Sequence, residues 1–330
     1  DNLTLQSDSG VITFSGDQTS TANITVSSNA LSALSAAVTL TGATITLDTL
    51  DAASNALVIN ADSLATQAIT NVGDVTFTVD AIDLGGALSE QGAGDALIIQ
   101  GKTASTSIGI GTGAAGTIAL TDAEVTNLGS GWDSVQFGNS ATTGAIDLSD
   151  NTFADNVLVK SSSGVISTTG AIAMGANDLT INTDADLTIG GAISGTGTLT
   201  IAGAADATTI GLGGGAGTLG LSDTELDFIT NTNGGWGSIV IGSSSGTGAM
   251  TVDTYAGWTD NLTLQSNTGV ITFSGSQTST ADITVSSNAT SALSADVTLT
   301  GATITLDELN ADSNALVINA DSLATQAITN

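Results

Sequence analysis

Short triplets of apolar, polar and apolar residues recur through this chain, among them Leu3–Thr4–Leu5, Ile24–Thr25–Val26, Ile45–Thr46–Leu47, Leu179–Thr180–Ile181 and Leu199–Thr200–Ile201. Successive side chains on a strand point to opposite faces, so both apolar residues face one way and the threonine the other. Strands this short do not stand alone. Stacked on copies above and below, their apolar residues form a continuous ladder. Thr, Ile and Val favour strands, and the intervening Gly and Asn favour corners. The triplets predict interior Ile45, Leu47, Leu57 and Ile59, with Thr46 and Val58 outward.

A long internal repeat overlies this rhythm. Residues Asp1 to Asn71 match Asp260 to Asn330 at an offset of 259, with 62 of the 71 positions identical. The exchanges include Asp17/Ser276, Asn23/Asp282, Ala37/Asp296 and Thr49/Glu308, and none replaces an apolar member of a triplet. A fixed inside and a tolerant outside produce that pattern. Leu31 becomes Thr290, which predicts that Leu31 points outward or lies in a loop. A weaker repeat relates 108–166 to 210–271. IGIGTGAAGTIALTDAEV and IGLGGGAGTLGLSDTEL each lead to a Gly-Trp pair, then to SVQFG or SIVIG, then to GAIDL or GAMTV.

These features predict an all-β chain, a right-handed parallel β-helix (β-solenoid) with short helical excursions, running as one continuous segment over 1–330. Repeat proteins of this kind grow along one axis without closing a core. A tandem of sandwiches is the main alternative. Sandwich hairpins favour Asn-Gly or Asp-Gly turns; here Asn-Gly occurs only at Asn233–Gly234 and Asp-Gly is absent. The chain has no proline, as suits a ladder that uses every backbone N–H.

The formal net charge is −30, from two basic residues and 32 acidic ones. Such a chain repels nucleic-acid phosphates and anionic membranes, and no apolar stretch approaches a membrane span. There is no histidine, cysteine or arginine, and the two lysines are Lys102 and Lys160. That excludes catalysis based on histidine or cysteine. Carboxylate pairs can hydrolyse glycosides, but Glu90, Glu124, Glu225 and Glu308 are widely separated in sequence. The expectation is no enzyme and no cofactor. Recurrent Asp48, Asp51, Asp62, Asp178, Asp184 and Asp186 leave diffuse calcium binding as an alternative to solvated charge. The glycine runs lack the Gly-Lys-Ser/Thr ending of a phosphate loop and read as tight corners.

Two segments break the strand rhythm. Thr121–Asp122–Ala123–Glu124 and Ser222–Asp223–Thr224–Glu225 have capping-box spacing, which predicts one or two helical turns at each, with Leu128, or Leu226 and Ile229, facing the wall. Exposed aromatics stack on sugars, so Asp122, Glu124, Trp132, Asp223, Glu225, Trp236, Tyr255 and Trp258 form the candidate protruding or recognition surface. Tyr255 is the best exposed-aromatic candidate. The competing reading has each tryptophan covering a gap where a helical turn meets the wall.

The text TIALTDAEV…GWDSVQFG…GAIDL, repeated as TLGLSDTEL…GWGSIVIG…GAMTV, resembles filamentous-haemagglutinin-like repeats of giant bacterial surface or secreted proteins, over essentially the whole chain. The resemblance implies an extracellular or cell-surface setting and a long stalk, fibre or adhesin. It implies adjacent repeats of the same parent protein as partners. Separately, strand edges without a polar helical cap predict end-to-end self-association of an isolated segment. An adhesin binding a glycan or a host or partner-cell receptor is one alternative. An ice-binding solenoid is another, suggested by Thr44–Ile45–Thr46 and Thr303–Ile304–Thr305.

Overall fold

Strand formation follows the triplets, because each short run of alternating apolar residues gains a buried face only when a second run pairs beside it. The computed structural model describes residues 1–92, 94–230 and 235–330. The Asn233–Gly234 step lies outside the described residues. The chain forms two compact units, Asp1–Val159 and Lys160–Asn330, and each is a parallel β-solenoid.

Over residues 1–101 of the first unit each coil contributes one strand to each of three sheets. One sheet stacks Leu3–Ser7, Ile24–Ser28, Thr44–Leu47, Ser63–Thr66 and Ala81–Leu84; the second stacks Thr13–Phe14, Ser32–Leu34, Leu50–Asp51, Ile69–Val72 and Leu88–Glu90. The third runs through Gln18–Thr19, Val38–Thr41, Leu57–Asn60, Val75–Val79, Ala96–Gly101 and Ser134–Gly138. Leu3, Ile24, Ile45, Leu64 and Ile82 occupy successive rungs, so coils advance by 21, 21, 19 and 18 residues. Ile24, Ile45, Leu57, Ile59 and Ile69 have no exposed surface, and Leu47 is 3% exposed. Thr46 is exposed and Val58 half-exposed, as the alternation predicts.

The second unit repeats the arrangement. Leu262↔Ile283, Ile283↔Ile304, Ile304↔Leu323, Ser291↔Leu309 and Val297↔Leu316 are rung pairs. Each is the corresponding pair of the first unit displaced by 259 residues. The nine exchanged positions (71 − 62) are half-exposed or exposed in both copies, and Leu31 is 46% exposed. The turn after the second sheet recurs as well. Ala53 and Ser54, and their counterparts Asp312 and Ser313, all have φ between 47° and 66°. Asn55 and Asn314 brace that turn by donating side-chain N–H bonds to Ala52 and Ala311.

Candidate functional site

Each unit carries one excursion, and each excursion begins with a chain reversal. Strand Ile108–Ile110 is followed by a return segment that brings Ile118–Leu120 alongside it, parallel and in register. A Cβ on Gly109 would lie 2.8 Å from the Ala115 backbone, and one on Gly116 would lie 2.1 Å from the Gly109 nitrogen. The return therefore crosses the outer face of the strand it leaves, where only glycine leaves room. Ile210–Leu212 and Leu219–Leu221 repeat the device, with a Cβ on Gly211 meeting the Gly215 carbonyl at 1.9 Å. The glycine runs are thus folded-back crossings, a tighter requirement than corners.

Helix α1, Asp122–Asn127, and helix α2, Asp223–Ile229, follow the reversals. Glu124 accepts bonds from the Thr121 backbone N–H at 2.9 Å and its hydroxyl at 2.8 Å. Its other oxygen accepts from the Leu84 backbone N–H at 3.1 Å, while Asn127 donates to the Leu84 carbonyl at 2.7 Å. The Glu124 and Asn127 side chains of α1 thus satisfy the Leu84 backbone as a neighbouring strand residue would. Glu225 does the same, accepting from Ser222 N–H at 2.8 Å and from Ile189 N–H at 3.3 Å. Leu128, Leu226 and Ile229 are buried against the wall.

The aromatic members of the expected recognition surface are not on a surface. Trp132 and Trp236 are each 3% exposed, Tyr255 is 5% and Trp258 is 1%. The reason is volume: among short aliphatic rungs, the excursions leave gaps that only large rings fill. Trp132 donates its indole N–H to the Leu128 carbonyl at the end of α1, at 2.8 Å. The Trp236 ring occupies the space a Cβ on Gly195 would need. Tyr255 stacks edge-on against Trp258 at 4.9 Å, and its hydroxyl meets Thr230 at 2.7 Å and Asp227 at 2.9 Å. Burial pushes the Tyr255 phenol well above its ordinary range. In the first excursion Phe153 is buried, packing 6.2 Å from Phe137.

Of the acidic members, Asp122 accepts bonds from the Thr112 N–H and hydroxyl at 2.7 and 2.6 Å, and Asp223 is exposed. Sequence reasoning missed Asp155 and Asp260. Each is nearly buried and accepts the backbone N–H before the tryptophan, from Gly131 at 2.8 Å and from Gly235 at 3.2 Å. Burial pushes both carboxyls up, against the lowering effect of these backbone bonds. The matching Asp-Asn pairs at 155–156 and 260–261, each 23 to 24 residues beyond its tryptophan, were the available signal.

A cleft of about 150 Å³ beneath α1 is lined by Val125, Leu128, Val135, Phe153 and Asp155. A shallow groove of about 430 Å³ lies over Thr25, Thr46, Asp48 and Gln67, with no aromatic platform for a sugar. Among the described residues no three acidic side chains converge as a metal-ligand group, and no helix is long and apolar enough to cross a membrane. The Thr44 column continues as Ser63 and Ala81 rather than threonine, so the paired threonines do not extend into an ice-type array. No family model, curated protein or solved structure matches the chain; the resemblance to filamentous-haemagglutinin-like repeats rests on the repeated text.

Proposed function

We propose that this chain is a structural segment of an extracellular bacterial surface fibre or stalk, built from tandem β-solenoid repeats and carrying no catalytic step. The observation that supports this reading is the pair of 71-residue copies. They adopt the same rung pairs 259 residues apart, and sequence change is confined to their outer positions. A recognition or catalytic site needs one particular surface, whereas a spacer needs only its interior repeated. The side chains most suited to recognition are spent on sealing the excursions. The cell-surface setting rests on the resemblance of the repeated text.

The test is a parent protein from which one 259-residue period has been removed, located with gold-labelled antibody against the repeated block. Label on filaments outside the cell, with display retained after the deletion, is the expected result. Label confined to the cell interior, or a specific binding or catalytic activity lost with the period, contradicts the reading.

A further inference from the structure

The two excursions share a framework and differ in what fills it. Helix α1 aligns with α2 at an offset of 101 (223 − 122), so Val125, Thr126, Leu128 and Gly129 correspond to Leu226, Asp227, Ile229 and Thr230. The rung behind them corresponds as well, Val135 on Leu97 matching Ile239 on Leu199. The return to the wall does not. Asp155 follows Asp150 by five residues, whereas Asp260 follows Asp253 by seven (155 − 150 and 260 − 253). Phe153 stands two residues before its aspartate, as Trp258 does, and Tyr255 has no counterpart. In the second excursion the Tyr255 ring is buried edge-on against Trp258, and its hydroxyl reaches Asp227 and Thr230. In the first, the positions matching those two partners, Thr126 and Gly129, line the cleft of about 150 Å³ together with Val125, Leu128, Val135 and Phe153. The cleft therefore lies where a tyrosine side chain is missing.

We propose that the cleft beneath α1 binds a free, neutral, single-ring phenol, its ring edge-on to Phe153 and its hydroxyl at Thr126. Size selects one ring, since an apolar cavity of about 150 Å³ holds a benzene-sized molecule. The walls supply apolar contact, and few polar groups fix the orientation. The Thr126 hydroxyl already donates to the Asp122 carbonyl at 2.9 Å, so toward the cleft it is an acceptor, and the phenol donates. Charge selects the neutral form. Asp155, 9% exposed, lines the cleft, and the chain carries a net charge of −30, so a carboxylate on the ring is repelled. A spacer can carry such a cleft in every period, so removing one period lowers the number of sites without abolishing them.

The probe is p-cresol, the tyrosine side chain as a free molecule, titrated into the 330-residue chain by calorimetry and located by amide hydrogen exchange. One p-cresol per chain should bind with a Kd of about 0.1–1 mM, slowing exchange across residues 122–129. Residues 223–230, where Tyr255 already fills the gap, serve as the internal standard and should not change. Val125→Phe places a ring in the cleft and should weaken binding by at least about tenfold. Tyr255→Ala empties the second excursion and should admit a second p-cresol, with new protection across 223–230. If Val125→Phe does not fold, the stoichiometry of Tyr255→Ala decides alone. No binding at about 5 mM p-cresol, equal binding of 4-methylbenzoate, undiminished binding in folded Val125→Phe, or a single site in Tyr255→Ala overturns the proposal. Tighter binding of N-acetyl-tyrosinamide than of p-cresol also overturns it, assigning the cleft to a side chain of another polypeptide. Absence of p-cresol binding alongside surface filaments that tolerate the period deletion removes this inference and leaves the proposed function standing.

Discussion

Leu64 and Leu31 lie in one repeated block, yet the first is 1% exposed and the second 46%. Removing the Leu64 side chain opens a cavity among packed rungs and is expected to cost about 2–5 kcal/mol. Leu31→Ala has no cavity to leave and is expected to cost about 0.5 kcal/mol or less. Hydrogen exchange of each variant, read coil by coil, checks the pair; equal costs would contradict the burial pattern. Ile45→Ala belongs with Leu64→Ala, whereas Thr46→Ser should change stability by less than about 0.5 kcal/mol. Such inward and outward assignments were legible in the sequence because alternation along a strand has a period of two. The fate of Trp132, Trp236, Tyr255 and Trp258 was not. Whether a large ring fills a gap or faces solvent depends on neighbours such as Gly195 and Thr230, far from it in sequence. Asp155 and Asp260 yield a pH prediction. Their folded pKa values are raised by burial, so the folded chain holds these protons more tightly than the unfolded chain. The stability they contribute is present below the unfolded carboxyl pKa and is lost as pH rises through the folded value. Asp155→Asn and Asp260→Asn keep an acceptor for the glycine N–H and remove the titration. Urea midpoints across the acid range should therefore move in favour of each variant as pH rises, and movement toward the parent would contradict the assignment.

Helix starts were readable from Thr121 to Glu124 and from Ser222 to Glu225 because a capping box is local, spanning four residues. The second task of these glutamates, at Leu84 and Ile189, was not readable, since it joins residues 40 and 36 positions apart. Glu124→Ala removes both tasks and should destabilise the excursion by about 1–3 kcal/mol, seen as faster exchange at Leu84. Glycine runs announced a constraint without its kind. A folded-back crossing is set by chain passing over chain, which composition does not encode. Gly211→Ala places a methyl group against the Gly215 carbonyl and should cost about 1–3 kcal/mol. Gly16→Ala meets no atom within 4 Å and should be neutral to within about 0.5 kcal/mol. At the left-handed turn Ala53→Gly should gain up to about 1 kcal/mol, because its φ of 47° suits glycine better than alanine.

At the scale of the whole chain, the offset of 259 residues was the most informative reading, since identical inner residues imply identical rungs. The net charge of −30 opposes association at low salt, so any self-association should rise with ionic strength in sedimentation measurements. The proposed function makes the repeated block the length-setting element of a surface fibre. Its most direct test is the length of the parent filament, measured by electron microscopy before and after removal of one 259-residue period. Each excursion spends nearly 40 residues on a single rung, Leu97 to Val135 and Leu199 to Ile239, so a period holds roughly 10 to 11 rungs; at about 4.8 Å per rung, filaments should keep their width and shorten by about 50 Å. Unchanged length, or compact beads joined by flexible linkers in place of a filament, would contradict it.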